Sequence, residues 1–164
     1  KSKDITTPLG ISTESLMTEK PVLATILRAG LPLHQGFLNY FDSSDNCFIS
    51  AYRKHKKNGD FEVKIEYMSS PNLDDETIIL CDPMLASGSS MILAMEAIMS
   101  KGNPKHIHIV AIIASAEGVD YVKENIPMQN CTLWLGGEDA EMTAQSYIVP
   151  GLGDAGDLAF GEKI

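Results

Sequence analysis

Positive charge is scarce in this sequence of 164 residues. Thirteen lysines and arginines face 22 aspartates and glutamates, which gives a formal net charge of -9 at pH 7. Nucleic-acid backbones and anionic membranes attract proteins through clustered cations, so this balance opposes both kinds of partner. We therefore expect no nucleic-acid partner and no membrane partner, and any anionic ligand must meet a local group of cations.

Long hydrophobic runs and paired cysteines are also lacking. The longest apolar run, residues 107–116, is too short to span a bilayer. Cys47, Cys81 and Cys131 are odd in number and have neither C-x-x-C nor zinc-site spacing, so we expect free thiols in a reducing, cytoplasmic setting. The chain begins at Lys1 without a methionine, so we expect it to be part of a longer polypeptide.

Strand-like and helix-like segments alternate along the chain. Apolar, β-branched segments predict buried strands over residues 22–27, 77–80, 107–114 and 132–135. Apolar residues three and four apart predict helices over residues 33–41, 91–99 and 116–125. The run 107–114 is typical of a central strand buried on both faces. This alternation predicts an α/β fold, a parallel sheet with flanking helices, in a single domain over residues 1–164.

One segment, residues 47–68, departs from the parallel pattern. Its second half alternates apolar and charged residues, and Asn58-Gly59 is a strong signal for a two-residue hairpin turn. We therefore expect an antiparallel hairpin arm over residues 47–68. A two-residue turn would place Arg53 opposite Lys64, a repulsive pair that an anion between them would relieve. The basic residues around Arg53 favour a role in binding an anion.

The segment after the second predicted strand is rich in small residues. It consists of Asp82, Pro83, Met84, Leu85, Ala86, Ser87, Gly88, Ser89 and Ser90. Small residues let backbone N–H groups face a ligand, and the following helix N-terminus favours an anion, so the segment can wrap a phosphate monoester. Alternatively, Ser87 or Ser89 only caps the helix. A carboxylate at Asp82 suits the vicinal hydroxyls of a ribose, and the absence of a Walker motif excludes that type of nucleotide site.

A second glycine-rich turn, residues 151–156, matches G-x-G-x-x-G letter for letter. Only eight residues follow it, which leaves no room for the helix, strand and acidic residue of a dinucleotide-binding unit. The turn is therefore either a backbone that closely approaches a flat ligand or an ordinary terminal loop. His106 and His108 alternate on one predicted strand without a third ligand nearby, so we expect no metal site made of protein side chains.

These motifs resemble those of the uracil phosphoribosyltransferases over about residues 22–161. The matching segments are Ile26-Leu27-Arg28-Ala29-Gly30, Tyr52-Arg53, residues 82–88 and, above all, Tyr147-Ile148-Val149-Pro150-Gly151-Leu152-Gly153-Asp154-Ala155-Gly156-Asp157. The resemblance implies the type I phosphoribosyltransferase fold, with the hairpin arm and a base-binding loop over residues 147–160. It also implies transfer of phosphoribose from phosphoribosyl pyrophosphate (PRPP) to uracil, giving UMP and pyrophosphate in pyrimidine salvage.

The same resemblance implies a set of site residues. Contacts to PRPP would come from Arg28, Arg53, Asp82, Pro83, Met84, Leu85, Ala86, Ser87, Gly88, Ser89, Ser90 and Asp154. Uracil would be bound by Ile148, Gly153, Asp154 and Ala155. Asp82, Asp154 and Arg53 would carry the catalysis, with Mg²⁺ held mainly through PRPP, and the protein would be a homodimer.

Three positions depart from the family pattern. Ser87 and Ser89 stand where threonine and glycine are usual, and Pro32 stands where glycine is usual. A side chain at Ser89 would be strained if the backbone there needed a positive φ. Members of the family also carry a further N-terminal segment ahead of the first residue of this chain. Two alternatives stay open: a non-catalytic regulator of the same fold that senses PRPP or binds RNA, and an enzyme for another base.

Overall fold

The computed structural model describes residues 1–55 and 61–162. Its strands are β1 (Ser2–Thr7), β2 (Gly10–Ser15), β3 (Val22–Leu27), β4 (Asn46–His55), β5 (Phe61–Ser69), β6 (Thr77–Cys81), β7 (Met84–Leu85), β8 (His106–Ser115), β9 (Cys131–Asp139), β10 (Glu141–Met142) and β11 (Ile148–Val149). Its helices are α1 (Leu31–Leu38), α2 (Ser89–Met99), α3 (Ala116–Asn125) and α4 (Ala155–Phe160).

A seven-stranded sheet forms the centre of the molecule. Its strand order is β5-β4-β3-β6-β8-β7, with β9 paired to β8. All of these pairings are parallel except the one between β4 and β5. The predicted α/β fold with a parallel sheet, flanking helices and an antiparallel arm is therefore confirmed.

The chain reverses its direction across the sheet between β3 and β6. From β3 it passes through α1 to β4 on one side, and from β6 it passes through α2 to β8 on the other. The loops that follow β3 and β6 consequently diverge at the carboxyl edge of the sheet. Ligands of open α/β sheets bind at such a switch point.

Helix α2 packs on the main core with the face that its sequence predicts. Met91, Ala94, Met95 and Ile98 are all buried there. Helix α3 has the predicted bounds. Helix α1 ends at Leu38, before Phe41, although the predicted apolar stripe is real: Leu33, Phe37 and Phe41 all pack against a buried cluster. That cluster consists of Leu23, Ile79 and Cys81.

The predicted register of the arm is wrong by one residue. Arg53 lies opposite Val63, and Lys64 lies opposite Tyr52. A register shift between Ser50 and Ala51 is the cause, because an extra residue in β5 displaces every pair beyond it. The expected Arg53–Lys64 repulsion is therefore not part of the ladder, and the Asn58-Gly59 turn lies outside the described residues.

Strand β8 is not buried on both faces as predicted. Ile107, Ile109 and Ala111 face the main core and are buried, whereas Ile112 is 48% exposed. The continuous apolar run hides this alternation, because an apolar side chain on the second face does not need complete cover to be tolerated.

The N-terminal residues form a ribbon that the sequence analysis did not predict. Strands β1 and β2 pair antiparallel, and Thr7 Oγ1 donates to the Gly10 carbonyl oxygen at 2.8 Å across their turn. Leu9 and Ile11 are 99% and 71% exposed. The Thr-Pro-Leu-Gly sequence was the available turn signal. In the part of the chain that the structure describes, no helix has the length and apolar character needed to cross a membrane.

Candidate active site

Three chain segments meet at the carboxyl edge of the sheet. The turn after β3 touches the end of β6 at Gly30, where a Cβ would lie 2.7 Å from the Cys81 carbonyl oxygen. Only glycine allows this approach, because a side chain would overlap the neighbouring backbone. The turn at Arg28-Ala29-Gly30 and the loop that begins at Asp82 are thus neighbours.

The loop from Asp82 to Gly88 is fixed to the sheet from below. Met84 and Leu85 pair with Ile113 and Ala114 of β8. The Pro83 carbonyl oxygen accepts hydrogen bonds from the amides of Ile112 and Ile113, each at 3.1 Å. These contacts leave the upper side of the loop facing a cleft of about 60 Å³. The cleft is lined by Asp82, Met84, Leu85, Ala86, Ser87, Gly88, Ser90 and Met91, but not by Pro83 or Ser89.

Gly88 is the residue that turns this loop into helix α2. It is the N-cap, its φ is +77°, and no side chain caps the helix. The alternative in which Ser87 or Ser89 caps α2 is therefore wrong; Ser87 Oγ instead donates to Ser89 Oγ at 3.2 Å. Because Ser89 is already the first helical residue, the left-handed conformation falls on Gly88, and the expected strain at Ser89 is absent.

Asp82 follows the last residue of β6 and lines the cleft, where its carboxylate has few hydrogen bonds to the protein. Its Oδ1 accepts from the Met84 amide at 3.4 Å, and its own amide donates to the Val110 carbonyl oxygen at 3.1 Å. Burial raises the pKa of this carboxyl group to about 7, an effect that the Met84 amide only partly offsets. Burial also raises the pKa of the adjacent Cys81 thiol to about 12, so Cys81 stays a neutral core residue.

The C-terminal glycine-rich turn forms the third part of the site. Ile148 is buried and pairs with Met142, and the Gly151 amide donates to Asp139 Oδ2 at 3.2 Å. Gly153 has a φ of +85°. Asp154 is the N-cap of α4, where its Oδ1 accepts from the Asp157 amide at 2.9 Å.

Arg28 joins the first and third segments. Its Nη2 donates to Asp157 Oδ1 at 2.9 Å and to the Gly161 carbonyl oxygen at 3.0 Å. Gly156 packs beside the same turn, where a Cβ would lie 3.8 Å from the Ala29 Cβ. Asp157 could not be recognised from the sequence as a partner of Arg28, because 129 positions separate the two residues and only the repeated Gly-Asp pattern singles Asp157 out.

The predicted contact of Arg53 with PRPP stays a prediction. Its backbone lies in β4, and its side chain falls outside the described part of the structure.

The two histidines of β8 contact side chains and not a third ligand candidate. His106 Nε2 lies 2.7 Å from Thr132 Oγ1, and Trp134 Nε1 donates to His108 Nδ1 at 3.2 Å. Both histidines therefore contact side chains of the neighbouring strand β9.

Comparison with solved structures shows which class of fold the protein has. A protein of Aquifex aeolicus superposes with a TM-score of 0.83 at 27% identity, over 100% of this chain and 76% of its own. The purine phosphoribosyltransferase of Pyrococcus horikoshii superposes with a TM-score of 0.53 at 16% identity, over 76% of this chain and 81% of its own, a likeness of fold alone. The molecule has the type I phosphoribosyltransferase fold.

The sequence comparisons narrow the class to a family. The family model for uracil phosphoribosyltransferase matches residues 1–162. The uracil phosphoribosyltransferase of Porphyromonas gingivalis is 57% identical over 162 residues, which cover 99% of this chain and 74% of that protein. The one of Methanothermobacter thermautotrophicus is 39% identical over 161 residues, which cover 96% and 72%. This chain belongs to the uracil phosphoribosyltransferase family, and it is an enzyme of the phosphoribosyltransferase class.

Proposed function

We propose that the chain transfers the phosphoribosyl group of PRPP to N1 of uracil, forming UMP and pyrophosphate and releasing the N1 proton. The observation that carries this proposal is the meeting of three loops at one edge of the sheet. A turn with an arginine, a loop rich in small residues and a glycine-rich turn lie together at the switch point between β3 and β6. Each has the chemistry for one part of the two substrates.

The loop before α2 would hold the 5-phosphate of PRPP. A phosphate there would meet the free N–H groups of the first turn of an 11-residue helix, which begins at Ser89, and the hydroxyls of Ser87 and Ser90, which line the cleft. The positive φ of Gly88 directs the chain around this position. The backbone of residues 83–86, fixed to β8, forms the floor.

Asp82 would bind the ribose. A carboxylate accepts hydrogen bonds from two vicinal hydroxyls, and this one has only one weak protein partner. Hydroxyl donors would stabilise the charged form and lower the raised pKa of the group. Asp154, on the C-terminal turn, would stand beside the ribose while its Oδ1 caps α4.

The C-terminal turn would bind uracil through main-chain groups near Ile148, Gly153 and Ala155. Telling uracil from cytosine requires a fixed acceptor opposite N3–H and a fixed donor opposite O4, and backbone carbonyls and amides are more rigid than side chains. The hydrogen bonds of Gly151 and Asp154 hold this backbone in place. Arg28 and Arg53 would contact the pyrophosphate.

Catalysis would come from positioning and electrostatics, without a covalent intermediate on the protein. Uracil N1 forms the bond to the anomeric carbon as the bond to pyrophosphate breaks. Asp82 and Asp154 would stabilise the positive charge that develops on the ribose, and the arginines would stabilise the departing pyrophosphate.

Mg²⁺ fits this site as an ion carried mainly by PRPP. It prefers oxygen ligands and commonly combines one or two carboxylates with substrate phosphates. Asp82 offers one carboxylate, and over residues 1–55 and 61–162 no group of three or more histidines, cysteines or acids is placed to hold a metal. When bound, the ion would neutralise charge on the pyrophosphate.

We also propose a homodimer in the cytoplasm. A two-stranded ribbon is marginally stable by itself, and the exposed Leu9, Ile11 and Met17 of the N-terminal segment would be buried against a second copy. The three cysteines are free and buried, which suits a reducing compartment. Sedimentation velocity tests the dimer; a monomer at micromolar concentration would contradict it.

A base panel tests the proposed reaction. The protein is incubated with Mg²⁺, PRPP and one of uracil, cytosine, hypoxanthine or adenine, and the nucleotide and pyrophosphate are quantified. We expect UMP with uracil and at most traces of product with the others. Product with another base alone would show that the enzyme uses that base and not uracil. No product with any base would favour a regulator that binds PRPP or RNA without catalysis.

A further inference from the structure

The guanidinium of Arg28 has protein partners at one nitrogen and lacks a partner at another. Its Nη2 is occupied by Asp157 and by the Gly161 carbonyl oxygen, whereas its Nε is buried and has no partner. An unpaired buried donor is costly, so an acceptor is expected at that position in the working protein. The guanidinium is thus held through Nη2 and lacks a partner at its buried Nε, while the side chain as a whole is still 36% exposed to a ligand.

Asp157 is placed to hold that end from the C-terminal turn. Its carboxylate lies 2.9 Å from Arg28 Nη2, with the two side chains 36% and 32% exposed. Its backbone amide donates to Asp154 Oδ1 at 2.9 Å. Gly156 also lies beside Ala29, so the turn that carries Asp154 and the turn that carries Arg28 are in contact at a second point.

We propose that Asp157 is a positioning residue that orients Arg28 toward pyrophosphate and couples the PRPP and uracil subsites. The inference rests on the proposed function, in which Arg28 contacts PRPP and the turn around Asp154 contacts uracil. Anions that bind the exposed part of the Arg28 guanidinium stabilise the orientation that Asp157 requires. Through Asp157 and Asp154, that orientation stabilises the turn that binds the base, so each substrate strengthens the binding of the other.

Initial rates measured with both substrates varied test the coupling. We expect Asp157→Ala to raise the KM for PRPP about tenfold, the loss of one charge-assisted hydrogen bond. The factor by which PRPP lowers the dissociation constant of uracil should fall toward one. Asp157→Glu, which keeps the carboxylate, should restore part of both effects. Glu162→Gln is the matched control, since it removes one negative charge from the same exposed segment, and it should leave both quantities unchanged.

A double variant separates positioning from bracing of the fold. Adding Asp157→Ala to Arg28→Lys should cost far less than the same change in the wild type, because Asp157 acts through Arg28. Additive losses would overturn the proposal, as would an Asp157→Ala protein that melts earlier yet keeps the wild-type KM for PRPP and the wild-type coupling factor. If the wild type itself forms no UMP, the proposed function fails; if the wild type is active and Asp157→Ala matches it, only the coupling fails.

Discussion

The buried hydroxyl of Ser115 joins the candidate phosphate loop to helix α3. Ser115 Oγ donates to the Ala86 carbonyl oxygen at 2.7 Å and accepts from the Gly118 amide at 2.9 Å. Gly118 lies so close to the Ala86 carbonyl oxygen that no side chain fits between them. The shape of the loop therefore depends on a residue that does not itself line the cleft.

Replacing Ser115 should loosen that loop. Ser115→Ala removes the α3 cap and leaves the buried Ala86 carbonyl unpaired, at a cost of about 1–3 kcal/mol in the free energy of unfolding. The KM for PRPP should rise with little change in the KM for uracil. Ser100→Ala, which removes a comparable bond from an exposed hydroxyl to the Ala97 carbonyl, is the control and should change neither quantity. Equal stability of Ser115→Ala and wild type in urea titrations would contradict the anchoring role.

The raised pKa of Asp82 predicts a pH-dependent rate. If the ionised carboxylate binds ribose, kcat/KM for PRPP should rise with pH and level off above the pKa of about 7 of the free enzyme. Asp82→Asn should lower kcat/KM by about 2–3 kcal/mol of transition-state stabilisation and remove this rise. A variant with the wild-type pH profile would exclude Asp82 from the reaction.

The same carboxyl group should make stability depend on pH in a stated direction. The folded-state pKa of about 7 lies above the ordinary value of 3.8, so between about pH 4 and pH 7 the folded protein keeps a proton that the unfolded chain has lost. The contribution of Asp82 to the free energy of unfolding therefore falls as the pH rises through this window. The free energy of unfolding of Asp82→Asn minus that of the wild type should therefore be larger at pH 8 than at pH 5. Asp42→Asn, at an exposed position, is the control, and an equal difference at both pH values would contradict the assignment.

Gly153 should be sensitive to substitution mainly through the base. A Cβ there would meet no atom closer than Leu158 Cδ1 at 3.9 Å, so in the free protein Gly153→Ala costs only the strain of a φ of +85°, about 1 kcal/mol. If uracil lies against this backbone, the KM for uracil should rise at least tenfold while PRPP binding is retained. Gly10→Ala, in the N-terminal ribbon, also has a positive φ of +150° with nothing within 4 Å of a Cβ, and it should leave the KM for uracil unchanged. If calorimetry showed that Gly153→Ala loses the binding of uracil and of PRPP equally, the turn would have a structural role and would not be the base-binding element.

The observed register of the arm determines what removal of the Arg53 side chain should do. Because Arg53 lies opposite Val63, its removal relieves no repulsion across the ladder, and Arg53→Ala should melt with the wild type when empty. The increase in Tm on adding PRPP and Mg²⁺ should shrink. Lys54→Ala removes the same charge from the next position and should keep the full increase. A full increase for Arg53→Ala would exclude the arginine from PRPP binding.

Local pattern was sufficient for much of the fold. The buried face of α2, the bounds of α3 and the strands β3 and β6 follow from the spacing of apolar residues, since that spacing matches the period of the element that buries them. The loop at residues 82–90 and the turn at residues 151–156 were likewise visible as unusual runs of small residues. The loop lies at the carboxyl edge because it follows the parallel strand β6, whereas the turn follows β11 of a separate antiparallel pair and reaches that edge through its contacts with the turn at Arg28.

Long-range relationships were decided only by the tertiary structure. A bulge beside Ser50 set the register of the arm, and no turn signal near the tip reports an extra residue at the base. The pKa of Asp82 depends on how completely the surrounding chain removes water from it, which no neighbouring residue in the sequence specifies. The pairing of Arg28 with Asp157 exists because two loops 129 positions apart fold onto the same edge of one sheet. Sequence alone predicts the principal strands and helices, although not the N-terminal ribbon, because their periodicity is local; the contacts that couple the loops arise only when the sheet brings distant residues together.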